Sequence, residues 1–442
     1  MTRTPRSSIG RTPLELPLPQ GAAAVHSARL VALLHERLVA ADGWLDFATY
    51  MSLALYAPGL GYYSAGATKF GTAGDFVTAP EISDLYAQVL AAQFPPLFAA
   101  AGARRVLEFG PGTGRFAGLA LRELAACDAL PDDYLLLEVG ADLRARQPAS
   151  LRELAGPAAD RARWLDALPE RFDGIVFGNE VLDALPCERF VMRAGEPWRL
   201  GVVAAEDAAT ATAMASAARA EATEREAATE GEAGKSIAGF AWRARRADGR
   251  REGDEAFVAA LAHCLPPVVR EQLPEGYVGE LQPAIEPWIA AIGALLGRGA
   301  VLLADYGLPR SQYYHPQRRD GSLRAHYRHR AHDDPFLYPG LTDLSTWVDF
   351  TAVAEAADAT GLEVAGFATQ AAVLLGGGIE SRLAAALAEA DEPTRVRLAQ
   401  GARQLLLPGE MGEAVKLMLL TRGIDAAAVP AGFSLQDLRG SL

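Results

Sequence analysis

The residues with the most chemical content are acidic and stand beside glycines. Glu108-Phe109-Gly110-Pro111-Gly112-Thr113-Gly114 places a carboxylate two positions ahead of three alternating glycines. A dinucleotide-binding turn spaces its glycines as G-x-G-x-x-G and aims a helix N-terminus at a pyrophosphate. Here the third glycine comes one residue early, and Arg115 stands in its usual place. A carboxylate at Glu108 repels a pyrophosphate but can accept hydrogen bonds from an ammonium or attract a sulfonium. Glu108, Gly110, Gly112 and Gly114 therefore fit S-adenosylmethionine, a cationic cofactor with an adenosine, an amino acid end and no phosphate. Glu138, closing the run Leu135-Leu136-Leu137-Glu138-Val139, can accept from both ribose hydroxyls. Asp166, after Trp164-Leu165, can reach the adenine amine or be a solvated loop residue. The plain alternative is a turn without a ligand; two carboxylates in register weigh against it.

A second set lies where an acceptor would sit. Gly178-Asn179-Glu180-Val181-Leu182-Asp183-Ala184-Leu185-Pro186 follows the apolar run Ile175 to Phe177, at a strand end that opens on the cofactor's methyl, with Asn179 on the cofactor side. Methyl transfer is an in-line displacement, so the protein chiefly orients the acceptor atom and strips water from it. For a guanidinium acceptor, Glu180 supplies a charge-assisted bond, and Asp183 assists or takes the released proton. Asn179 and Asp183 could equally cap a following helix. Glu280, in Gly276-Tyr277-Val278-Gly279-Glu280, offers a second carboxylate to fork a planar guanidinium, or a first-turn acid for the next helix. Asp305 and Tyr306 end the strand Val301 to Ala304 on the same crevice side. Between Tyr313 and His332, four histidines are interleaved with five arginines. Arginines repel a cation and no cysteine completes a shell, so the expectation is no metal site; a basic lid for the cofactor carboxylate or an acidic partner surface fits the charge better.

These residues need elements to hold them. Val106 to Phe109, Tyr134 to Val139, Phe172 to Gly178 and Ala300 to Ala304 read as buried strands alternating with helical segments, which predicts a mainly parallel sheet with its crevice at the strands' C-terminal ends. Val25, Leu30, Leu33, Leu34 and Leu38 recur at helical spacing ahead of a glycine-dense loop from Gly66 to Pro80. On this reading the 442 residues divide into a flexible tail (1–20), an N-terminal helical cap region (21–100), a cofactor-binding α/β core in two parts (101–202 and 255–379, the second carrying an acceptor-side lid), a variable surface insertion (203–254), strand-like near Phe240 to Ala244, and C-terminal helices (380–442). Forty-two Lys and Arg against 55 Asp and Glu leave a net charge of −13, which gives no general reason to bind nucleic acid or anionic lipid. Three cysteines without C-x-x-C spacing point to a reducing compartment, and no apolar run approaches the length of a membrane span.

With these residues set out, the chain resembles the MidA-like methyltransferases. The likeness rests on Tyr56-Ala57-Pro58 with Gly61-Tyr62-Tyr63-Ser64, on Gly74-Asp75-Phe76-Val77-Thr78-Ala79-Pro80-Glu81-Ile82-Ser83, on Glu108 to Gly114, on Asn179 to Pro186, on Asp305-Tyr306-Gly307, and on His326-Tyr327-Arg328-His329-Arg330 with Val348-Asp349-Phe350-Thr351. The resemblance implies an α/β fold: a Rossmann-like seven-stranded class I S-adenosylmethionine-dependent methyltransferase sheet with N- and C-terminal helical additions, its last hairpin at Leu362 to Leu375. It implies that Gly74 to Glu81 covers the cofactor, bringing Asp75 and Thr78 to it. It implies protein arginine N-methylation, symmetric in the mitochondrial member, on a protein partner such as a respiratory complex I subunit or its homologue, in the bacterial cytoplasm or, in a eukaryote, the mitochondrial matrix. An assembly factor that grips a partner through the same fold is the competing reading. The 203–254 insertion, and Glu138-Val139-Gly140-Ala141 where serine and proline are usual, depart from the family pattern.

Overall fold

Short apolar runs bounded by glycine and polar residues form the strands of the central sheet, and they are apolar on both faces because both faces are covered. The structure is a computed structural model and describes residues 16–65, 78–205, 239–249, 251 and 253–442. Seven strands make the main path of an eight-stranded sheet: β1 (Arg105–Phe109), β2 (Asp133–Leu137), β3 (Ala162–Leu165), β4 (Phe172–Asn179), β5 (Leu296–Leu308), β6 (Glu363–Thr369) and β7 (Val415–Arg422), with the short Val348–Asp349 paired parallel to the end of β5. Their order is β6-β7-β5-β4-β1-β2-β3. The strands from β5 through β4, β1 and β2 to β3 run parallel, and β7 is antiparallel to both its neighbours. One core layer packs Phe116, Leu121, Tyr134 and Phe177 on one face; Leu107, Phe172, Ile289 and Val301 fill the other. From β1 the chain builds outward to β3, and from β4 it builds the opposite way, so the crevice opens between the C-terminal ends of β1 and β4.

The last hairpin is a correction. β6 lies where expected, but Gln370–Gly376 is a helix, started by the Thr369 side chain accepting from the Ala372 N–H. The partner of β6 comes four helices later, at β7, so the sequence after Glu380 is not only helical. Its run Val-Lys-Leu-Met-Leu-Leu is rich in good helix formers, and only pairing with β5 and β6 makes it a strand.

A second sheet is antiparallel throughout. Glu196–Ala204 pairs with Glu188–Arg193, Leu45–Asp46 and Phe240–Arg245, and Glu188–Arg193 pairs in turn with Val278–Leu281. Residues 206–238 of the expected insertion lie outside the described residues. The strand expected near its end is present, but it is not a surface appendage: Phe240 is buried and packs against Tyr50 and Phe336. A third small sheet pairs Arg324–Tyr327 with Arg330–His332 and with Asp343–Ser345. The N-terminal helix Gly21–Ala40 buries Leu30, Leu34 and Leu38, as its spacing requires.

Candidate active site

At the crevice, Glu108 ends β1 with its side chain buried and accepts a hydrogen bond from the Tyr134 hydroxyl at 2.6 Å. Burial pushes this carboxyl up to about 8 against the pull of that hydroxyl, and Glu138 adds to the rise. A buried carboxylate at the wall of a cleft is stabilised by an arriving cation. Gly110, Gly112 and Gly114 all hold positive φ. A side chain at Gly112 would meet nothing within 4 Å, so its backbone faces open cleft, whereas one at Gly114 would strike Leu151 Cδ1 at 2.5 Å. Gly114 caps helix Arg115–Ala126 and serves helix packing; it does not line the cleft.

Glu138 is held by two donors, the Gly140 N–H at 2.7 Å and Gln147 Nε2 at 3.1 Å. Gln147 also donates to the Gly112 carbonyl at 2.8 Å and accepts from Trp164 Nε1 at 2.6 Å. One fully buried glutamine thus ties the glycine turn to Glu138. Phe109 and Trp288, 5.2 Å apart, with Leu143 and Val139, give the same cleft of about 290 Å³ an apolar wall suited to a flat base. Asp166 is not there; it is exposed and ion-paired with Arg144 at 2.7 Å. Thr78 lines the cleft, while Asp75 lies outside the described residues. Arg115, at the position of the missing glycine, clips the 78–84 segment to the turn: Nε donates to the Pro80 carbonyl at 3.1 Å and Nη2 to Asp84 at 2.5 Å.

A second cleft, of about 270 Å³, shares Tyr63 and Glu180 with the first. Glu180 has φ of +52°, uncommon for a residue with a side chain, and such strain persists only where surroundings enforce it. They do so here. Its N–H donates to the Ala304 carbonyl at 2.8 Å, and its Oε1 accepts from the Ala79 N–H and Asn179 Nδ2, both at 3.1 Å. Burial raises the Glu180 carboxyl to about 7 in spite of those donors. Asn179 lines the first cleft and is fixed by the Tyr86 hydroxyl at 2.5 Å.

Asp183, Asp343, Tyr306, Arg324, His326 and Trp347 line the second cleft alongside Glu180 and Tyr63. Burial, then Asp305 and Glu180, holds the Asp183 carboxyl well above the usual range. Asp305 lines neither cleft. It accepts from the backbone N–H groups of Leu182 (2.8 Å), Asp183 (3.3 Å) and Tyr306 (2.8 Å), and so shapes the loop that carries the others. Burial lifts it to about 8 against those three donors. Glu280 also lies outside both clefts, paired with Arg189 at 3.0 Å and accepting from the Ser322 N–H at 2.8 Å. The guanidinium it forks belongs to its own chain.

Sequence reasoning missed Gln147, Trp288, Tyr63 and Asp343. Gln147 had a signal: it stands between Leu143 and Leu151 in the buried stripe of helix Ala141–Ala155, where a polar residue must have internal partners. Asp343 had none, because its place depends on a register that only the third sheet sets.

A family model described as S-adenosyl-L-methionine-dependent methyltransferase matches residues 88–368. The chain belongs to that family. A Burkholderia thailandensis protein solved with S-adenosyl-homocysteine bound is 38% identical, with a TM-score of 0.81 over 97% of this chain and 100% of that one. Protein arginine methyltransferase NDUFAF7, mitochondrial, of Mus musculus is 27% identical over 85% of this chain and 80% of its own length. The Drosophila melanogaster NDUFAF7 homolog, also mitochondrial, is 25% identical over 94% and 90%. The cofactor is S-adenosylmethionine, and the first cleft has groups that fit it, with the carboxyls of Glu108 and Glu138 and the apolar face of Trp288 in its lining. No single helix among the described residues is long and apolar enough to cross a membrane.

Proposed function

We propose that this methyltransferase acts on an arginine side chain of a partner protein, with the second cleft as the acceptor site. The observation that carries the reading is Glu180, a half-buried carboxylate on a strained backbone in the wall common to both clefts, with Asp183 and Asp343 beside it. A guanidinium is planar, permanently charged and rich in donors, so it answers clustered carboxylates better than any other side chain. The mitochondrial arginine methyltransferases among the relatives support the same substrate class.

When bound, S-adenosylmethionine supplies an activated methyl group. The chain's residues do the rest. Glu180 Oε1 is anchored by Ala79 and Asn179, so its other oxygen is the one aimed at the acceptor N–H. Methylating a guanidinium nitrogen releases one proton, and a carboxylate raised to about 7 can take it near neutral pH. Asp183 and Asp343 hold the remaining positive charge. Tyr63, Tyr306 and Trp347 exclude water, which strengthens each of these contacts.

The family resemblance adds symmetric dimethylation of a respiratory quinone oxidoreductase subunit, in the bacterial cytoplasm or the mitochondrial matrix, as the finer form of this reading. Mass spectrometry of arginine methylation in cells with and without the chain tests it, with Glu180→Gln as the inactive control. Methylation of another residue type overturns the arginine assignment. An unaltered methylation pattern, with the partner still bound, favours an assembly factor.

A further inference from the structure

The histidine and arginine segment singled out in the sequence lines no part of the first cleft, and the fold places it at the second. From Arg318 to His332 it carries five arginines and one aspartate on a chain whose net charge is −13. Arg324 and His326 line the cleft directly, from the strand that pairs His326 with Asp343 and Arg324 with Ser345, both also lining residues. Arg318 stacks over the cleft residue Trp347 at 4.6 Å.

The strand then turns back through two residues, Arg328 and His329, between Tyr327 and its partner Arg330. Both turn residues hold positive φ, +49° and +60°, where Asn-Gly is the comfortable choice. A turn under that strain is kept for what its side chains do. Here it leaves Arg328, His329 and Arg330 exposed together, and two residues of strand put the tip about 7 Å beyond His326. Asp333, 76% exposed, pairs with Arg324 at 3.3 Å, a contact exposed enough for an incoming carboxylate to exchange with it.

The cleft therefore has a floor of carboxylates and a rim of guanidinium groups. An arginine among basic residues satisfies the floor and is repelled by the rim. An arginine among acidic residues satisfies both. We infer that the hairpin Arg324–His332 is the docking edge for the acceptor protein, and that the segment it takes is an acidic stretch flanking the target arginine. This rests on the second cleft being the acceptor site, and the experiment separates the two ideas.

Full-length protein saturated with S-adenosyl-homocysteine is titrated, by fluorescence anisotropy, with short peptides: a central arginine flanked by glutamates, the same arginine flanked by lysines, and the glutamate peptide with glutamine replacing the arginine. The glutamate-flanked arginine peptide should bind about tenfold tighter than the lysine-flanked one, and the gap should shrink as salt is raised. Arg328→Glu with Arg330→Glu should remove most of that gap while S-adenosyl-homocysteine affinity stays unchanged. The wild-type comparison needs no variant to fold. Equal or tighter binding of the lysine-flanked peptide, or no binding of the acidic one, overturns the inference. So does peptide indifference combined with hairpin-dependent binding of a single-stranded oligonucleotide or anionic vesicles. Methyl transfer is read separately on both arginine peptides. Loss of transfer with the binding preference intact sinks the arginine reading and leaves the docking edge standing.

Discussion

At the scale of single residues, two carboxyls carry the proposed chemistry and their displaced ionisation makes them testable. Glu180 is raised to about 7 by burial. An acceptor-side base works only when ionised, so the methyl-transfer rate should climb with pH through about 7. Glu180→Gln should lower kcat about a hundredfold or more, flatten that limb, and leave S-adenosyl-homocysteine affinity nearly unchanged, as pH–rate profiles and calorimetry will show. Glu108, raised to about 8, is largely protonated at neutral pH when nothing cationic faces it. A cationic cofactor favours its ionised form, so binding should expel protons. Calorimetry at pH 7 in buffers of different ionisation heat reads this directly. Glu108→Gln should reduce the release and, if the sulfonium is what it meets, weaken S-adenosylmethionine more than the demethylated product, which keeps the ammonium and lacks the sulfonium charge; equal release in the variant would assign the protons elsewhere.

At the scale of elements, the glycine turn separates binding from packing. Gly112 faces open cleft, so Gly112→Ala should weaken the cofactor, while its φ of +57° adds only the backbone cost of about 1 kcal/mol, with no steric clash. Gly114 has φ of +79°, and a methyl group there would come within 2.5 Å of Leu151 Cδ1, so Gly114→Ala should cost about 2 kcal/mol of stability in denaturant unfolding. Gln147→Ala should do both, because it orphans the half-buried Trp164 indole N–H and removes a donor from Glu138. What was legible in the sequence follows the range of the interactions. The unit from β1 to the helix after the glycines is local, its period and turn residues agree, and Glu108, Glu138 and Glu180 could all be read off strand ends. Asp305 and Glu280 were recognisable as unusual acids, but whether a carboxylate meets solvent, substrate or its own backbone depends on packing across more than a hundred residues. Asp305 serves N–H groups of a loop 122 and 123 positions earlier. β7 was hidden for a related reason, since a run of Leu and Met has no strand character until two neighbours pair with it.

At the scale of the whole molecule, buried carboxyls set an opposition between stability and readiness for ligand. Glu108 and Asp305 are raised to about 8 and Glu180 to about 7. In the unfolded chain such groups titrate near 4, so through neutral pH the folded state holds protons that the unfolded state has lost. Their contribution to stability is full below pH 4 and is lost as pH rises through 7 to 8. Other groups act elsewhere on the scale. His326, depressed to about 4 by burial, favours folding increasingly as pH rises towards 6.5 and no further. Lys416, depressed to about 8 by burial, favours folding only at higher pH. Asp437, held near 2 by Arg439, acts at the acid end. The window from pH 6.5 to 8 therefore belongs to the carboxyls, and the ligand-free protein should lose a few degrees of melting temperature across it. S-adenosylmethionine, whose charge favours the ionised carboxyls, should raise the melting temperature by a margin that widens over the same window. A scanning-fluorimetry series at fixed ligand concentration, with and without Glu108→Gln, decides the matter: a ligand-induced shift that stays constant with pH in the unaltered protein would mean that Glu108 does not meet the cofactor's cation.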